Sequence, residues 1–175
     1  MDHDNAVGRR LLELQGLESM LRNAGAYDEA LTILDQMLEL DDSYSPALNN
    51  KAGILMLLDR YEEAGPLVQR AVQVNSDNGQ AWNNLGMYLL YAGEPEEAEQ
   101  AFRKALDCGY RHPGVMQNIA RAVMAKQMQQ IANHTAKNEI PKDKRPQPRF
   151  LERVLPGAAS SSGFARWLKS LFGGR

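Results

Sequence analysis

Apolar residues recur along most of this 175-residue chain in short helical stripes, each broken by glycine, proline or a polar turn. Val7, Leu11, Leu14, Leu17 and Leu21 share one face and predict a helix over 7–24, stopped by Gly25. Asp28 and Glu29 open a second helix from Tyr27 to about Leu40, where acids in the first turn complement the helix dipole. Asp41-Asp42-Ser43 ends it. Ser45-Pro46 then reads as a capping hydroxyl followed by proline at the first helical position, starting helices at 46–58 and 61–74. Asn75-Ser76-Asp77-Asn78-Gly79 is a turn. Two more helices follow at 80–92 and 95–107, separated by Gly93. Pro113 opens a seventh, which meets no further proline before Pro141 and is read as one long helix to about Lys137.

The stripes repeat. Trp82, Leu85, Gly86, Leu89, Ala98, Phe102 and Ala105 recur 34 places earlier as Leu48, Lys51, Ala52, Leu55, Ala64, Val68 and Ala71. Another 34 places back they recur, more loosely, as Leu14, Leu17, Glu18, Leu21, Ala30, Leu34 and Met37. A fixed period of this length is the mark of a helical repeat array. Small residues let paired helices approach closely, and the bulky ones fill what remains. A helix hairpin cannot bury its apolar face alone, so neighbours must stack.

This order of bulky, Leu-Gly, then Ala, bulky and Ala resembles the tetratricopeptide repeat over roughly residues 11–125. The expected fold is all-α: a right-handed helical solenoid of about three hairpins, a long C-terminal capping helix and a flexible basic tail. Met116, Ile119, Ala120 and Val123 match the first-helix positions of a fourth unit, and Lys126, Gln127, Gln129, Gln130 and Asn133 are expected on the capping helix's outer side. Two positions depart from the pattern. Glu18 stands where a small residue is expected, and Lys51 where leucine is usual, its ammonium expected to snorkel to solvent.

Composition is that of a soluble globular chain, with 43% hydrophobic and 24% charged residues. The single cysteine, Cys108, excludes an internal disulfide and fits a reducing compartment. No apolar run suits a membrane span or a secretory signal, so the expected location is cytoplasmic, peripheral to a membrane or large complex if the tail docks there. Charge is unevenly placed. From Lys137 onward nine Lys or Arg face three acids, giving +6, so the net −2 leaves −8 for residues 1–136. This sets the domain reading: a body over 1–137, a Pro/Ser-rich basic linker over 138–163, and a short amphipathic segment over 164–175. In that last segment Phe164, Trp167, Leu168, Leu171 and Phe172 form a one-sided stripe, expected to dock on protein. Self-association and an anionic membrane surface are the alternatives, while nucleic acid is disfavoured by the acidic body.

Candidate chemistry is sparse. His3, His112 and His134 share no recurring spacing with carboxylates, and Cys108 with His112 lacks the further partners of a metal or nucleophile site. No phosphate-binding loop follows a strand. No enzyme activity, cofactor or metal is expected, and Trp82 is read as core. The asparagines carry more information. Asn50, Asn84 and Asn118 are 34 apart, with Asn49 and Asn83 beside two of them. Each amide offers a donor and an acceptor, so a ladder of them pairs with an extended peptide whatever its sequence. The resemblance implies that first helices line a concave groove holding a peptide segment or amphipathic helix. Ser19, Arg22, Gly53, Met56, Gln80, Met87, Tyr91, Gln117 and Arg121 are expected to line it too. Family members that grip a chain-terminal carboxylate use lysines and an arginine beside such asparagines. Here Asn50, Asn84 and Arg121 match but the lysines are missing, so an internal segment or helix is the expected ligand.

Overall fold

The computed structural model describes residues 2–137, in which there are seven helices and no strand. They are α1 Asp2–Asn23, α2 Tyr27–Leu40, α3 Ser45–Leu57, α4 Tyr61–Val74, α5 Gly79–Ala92, α6 Pro95–Asp107 and α7 Gly114–Lys137. The linker 138–163 and the tail with Phe164, Trp167, Leu168, Leu171 and Phe172 lie outside the described residues. Two compact units divide the chain, 1–84 and 85–175, with the boundary inside α5.

In the first unit α1 packs on α2, α2 on α3 and α3 on α4. The repeat's alanines carry these contacts: Ala30, Ala52, Ala64 and Ala71 are wholly buried, as are Leu34 and Val68. Each hairpin turn needs one left-handed residue, supplied by Gly25 at φ 76° and Asp59 at φ 59°. Aspartate tolerates that region better than most side chains, yet it is still strained there. The loop before α3 differs from expectation. Ser45 lies inside the helix behind Tyr44, and its hydroxyl donates 3.4 Å to the Ala71 carbonyl instead of capping. The cap role falls to Asn78 at α5, whose Oδ1 accepts the Ala81 amide at 3.2 Å. Trp82 is half-buried, its indole N–H donating to the Ser76 carbonyl at 2.7 Å. Lys51 does not simply snorkel to water; its ammonium meets Asp35 on α2.

In the second unit Ala98, Phe102, Val115, Ile119 and Ala122 form the core, with Met87, Leu89, Leu106 and Tyr110 against it. Gly86 lies so close to Phe102 that an added Cβ would come within 2.6 Å of the ring. The glycine is therefore required by contact, not by backbone conformation. Gly93 makes this unit's hairpin turn at φ 82°, 34 residues beyond Asp59.

The face of α7 is only partly the one expected. Met116 is 63% exposed and Ala120 is exposed, while Val115, Ala122 and Ala125 are buried. Among the expected positions Ile119 and Val123 do pack inward, but α7 does not keep the full repeat register. It turns instead to lay its own i, i+4, i+7 stripe of Val115, Ile119 and Ala122 into the core around Phe102. Lys126 and Gln129, expected outside, then face the α5–α6 turn and α6. The Lys126 ammonium sits 2.7 Å from Glu96 Oε1, and Gln129 Nε2 donates to the Gly93 carbonyl at 3.5 Å. Gln127, Gln130 and Asn133 are exposed, as the sequence implies.

Candidate functional site

Three helices of the first unit bring one polar row together. From α1, Glu18 is only 1% exposed, held where the other repeats place Ala52 and Gly86. A buried carboxylate must be hydrogen-bonded or paired. Arg22, one turn on, donates through Nε to Glu18 Oε1 at 2.9 Å. From α3, Asn50 Nδ2 donates to Glu18 Oε2 at 3.3 Å. Asn49 Nδ2 donates to Asn50 Oδ1 at 3.4 Å. From α5, Asn84 Nδ2 donates to Asn49 Oδ1 at 2.9 Å. The row thus runs Asn84, Asn49, Asn50, Glu18, Arg22, with its two shortest bonds at the ends and Asn50 as its loosest joint. A Cβ at Gly53 would meet Asn84 Nδ2 at an ordinary 3.6 Å, so the crossing does not by itself require the glycine.

Exposure sorts the expected binding residues. Asn50 and Asn84 are half-buried and the Arg22 side chain is 38% exposed, so these three offer polar groups to solvent. Asn49 is 2% exposed and Met56 8%, so neither is open to a partner; Asn49 joins the row internally. Gln80 is exposed, and Asn83 is half-buried with a partner of its own. In the second unit, Met87 packs against the Phe102 core rather than standing open. Tyr91 and Asn118 are half-buried, each with an interaction, and Gln117 and Arg121 are exposed on α7. Glu18 is the residue that sequence reasoning placed at the helix crossing but gave no role. It was legible only as a break in the repeat, and the signal that could have found it is Arg22 four residues on, a ready counter-ion.

Electrostatics separates the units. Residues 1–84 hold fourteen Asp or Glu against six Lys or Arg, a net −8, while 85–136 balance five against five. Five of those six cations are committed within the unit: Arg10 to Glu13, Arg22 to Glu18, Lys51 to Asp35, Arg60 to Glu63 and Arg70 to Asp42. Beside Arg60, the Glu63 carboxyl is held below the usual range by the guanidinium's hydrogen bonds. The described residues contain no group of three His, Cys, Asp or Glu able to hold a metal ion. His112 serves structure: its Nδ1 accepts the Gly114 amide at 3.2 Å where α7 begins, and its ring stacks on Tyr110. None of the described helices is long and apolar enough to cross a membrane.

Family models for the tetratricopeptide repeat match residues 13–45 and 43–109, so together they span more than half of the chain. The chain belongs to the tetratricopeptide repeat family. Human tetratricopeptide repeat protein 7B is 30% identical over 118 residues, 67% of this chain but 14% of that protein. The match is thus to a stretch of repeats within a much longer relative. Among solved structures, the first tetratricopeptide domain of Spaghetti (RPAP3), bound to the HSP90 peptide SRMEEVD, superposes with a TM-score of 0.63 at 18% identity. That alignment covers 68% of this chain and 94% of the domain. PcrH, solved with the chaperone binding region of PopD, superposes with a TM-score of 0.54 at 21% identity, over 67% and 89% of the two chains. At these identities the likeness is one of fold, and the fold is the all-α hairpin array of tetratricopeptide solenoids.

Proposed function

We propose that this tetratricopeptide protein is a non-catalytic adaptor that holds a segment of another protein against the polar row of its first unit. The observation that carries this reading is the convergence of Arg22, Asn50 and Asn84 from three helices, each partly exposed and each fixed in place by hydrogen bonds to neighbours. Side chains locked in this way lose little entropy on binding, which is what a recognition surface needs. The peptide and protein-segment complexes of Spaghetti and PcrH support the use of this fold for holding a partner chain. The surplus of acids in the first unit favours a partner segment with basic character, through both encounter rate and rejection of acidic competitors. Lys51, next to Asn50, is paired with Asp35 on α2 and is not among the side chains that make the row, which favours an internal segment or helix over a chain-terminal carboxylate.

Co-purification from the native source, with mass spectrometry of the captured proteins, tests the reading. The double variant Asn50→Ala with Asn84→Ala should lose captured partners while circular dichroism keeps its helical signal. Undiminished capture by the double variant removes the row as the binding surface.

A further inference from the structure

The row has a direction, and its direction has a cause. An ionised carboxylate only accepts hydrogen bonds, so Glu18 obliges Asn50 to point its NH2 inward. That leaves the Asn50 carbonyl as the acceptor for Asn49, and the Asn49 carbonyl as the acceptor for Asn84. Three amides therefore share one orientation, and the row ends on the Asn84 carbonyl oxygen. We propose that Glu18 sets the hydrogen-bond polarity of this row, so that Asn84 selects a partner segment supplying an N–H donor at that point. The ligand half rests on the adaptor reading above; the polarity half does not.

Glu18 is in this sense a positioning residue. Burial is what gives it that power: at 1% exposure it has no water to share its lone pairs, so its demands fall on Arg22 and Asn50. Arg22 gains as well, since the Nε bond fixes its guanidinium plane.

The isosteric change Glu18→Gln separates this role from simple packing. Glutamine keeps the volume and can still accept from Arg22 Nε through its carbonyl. Its own NH2 must then donate to Asn50. Each amide along the row is required to flip, and Asn84 turns its NH2 outward. Neutron diffraction from crystals of the full chain distinguishes amide nitrogen from oxygen directly. The expected maps show Asn49, Asn50 and Asn84 with their NH2 groups directed toward Glu18 in the parent chain, and all three reversed in Glu18→Gln.

The ligand half is read from the Asn84 side-chain amide resonance of the full chain in solution, with guanidinium chloride as a donor-only probe and sodium acetate as an acceptor-only probe, both below denaturing concentration. In the parent chain guanidinium should shift that resonance and acetate should not; in Glu18→Gln the order should reverse. Identical amide orientations in both proteins, or a parent row directed away from Glu18, overturn the polarity. A correctly directed row with the acetate response at Asn84 in the parent chain overturns the donor preference. Should Glu18→Gln fail to fold, the parent map and the parent titration decide the two halves. Neither readout depends on partner capture, so failure of the adaptor reading is seen separately in the Asn50/Asn84 double variant.

Discussion

Replacing Gly86 by alanine tests the packing rule on which the repeat is built. A Cβ at this position would lie 2.6, 2.7 and 2.8 Å from three ring atoms of Phe102. The ring is fully buried, so it has no open side to retreat into. Overpacking of this kind costs about 1–3 kcal/mol. Alanine recovers about 1 kcal/mol of helix propensity over glycine. With three ring atoms closer than 3.0 Å the upper part of that range applies, about 2–3 kcal/mol, so the net expectation is a loss of about 1–2 kcal/mol. The preceding repeat shows the remedy, because its matching positions hold Ala52 and Val68, both wholly buried. Phe102→Val alone opens a cavity and should cost about 2 kcal/mol or more. Combined with Gly86→Ala it rebuilds the Ala/Val pair, so the double variant should be more stable than the two single losses sum to, by at least about 1 kcal/mol. Urea denaturation followed by circular dichroism at constant slope gives all four stabilities. A Gly86→Ala chain as stable as the parent, or costs that add without coupling, would refute the reasoning.

Other consequences are simpler to state. Asp59→Gly relieves the left-handed backbone at φ 59° and should raise stability by about 0.5–1 kcal/mol in the same assay. Glu18→Ala strands Arg22 and the buried amide row, and should cost about 3 kcal/mol, well beyond an ordinary surface change. Burial pushes the Tyr61 phenol above its ordinary 10.0, with Asp59 adding to it, and burial does the same for Tyr110. Lys126 is raised above 10.5 by its hydrogen bond to Glu96. All three are groups whose folded pKa exceeds the unfolded one, so their contribution is complete below about pH 10 and is lost as pH rises through the folded values. Alkaline titration should therefore show phenolate absorbance appearing together with loss of helical signal, and Tyr61→Phe should move that transition to higher pH.

Helix positions and hairpin turns were legible because they depend on local chemistry. The 3.6-residue stripes, Gly25 and Gly93 at the turns, and the acids at α2, α4 and α6 act within a few residues of themselves. The period of 34 then implied a helical repeat array, since it counts units without needing their contacts, and the order of bulky and small residues within it carried the resemblance to the family. Even the volume exchange between Gly86 with Phe102 and Ala52 with Val68 can be read along the chain, although only the close approach of the ring shows that the glycine is indispensable.

Three matters were decided only in three dimensions. The inner face of α7 kept Ile119 from the repeat register but buried Val115 and Ala122 in place of Met116 and Ala120, because that stripe is the one that meets the core around Phe102. Asn49 looked equivalent to Asn83 and is buried, since exposure depends on how three helices cross and not on spacing in one. Glu18 looked like a flaw in the pattern and is the anchor of the polar row. A sequence shows that a carboxylate occupies a small-residue position. Only the fold brings Arg22 and Asn50 to both of its oxygens, 4 and 32 residues away, and so turns an expected defect into the group that orients the row.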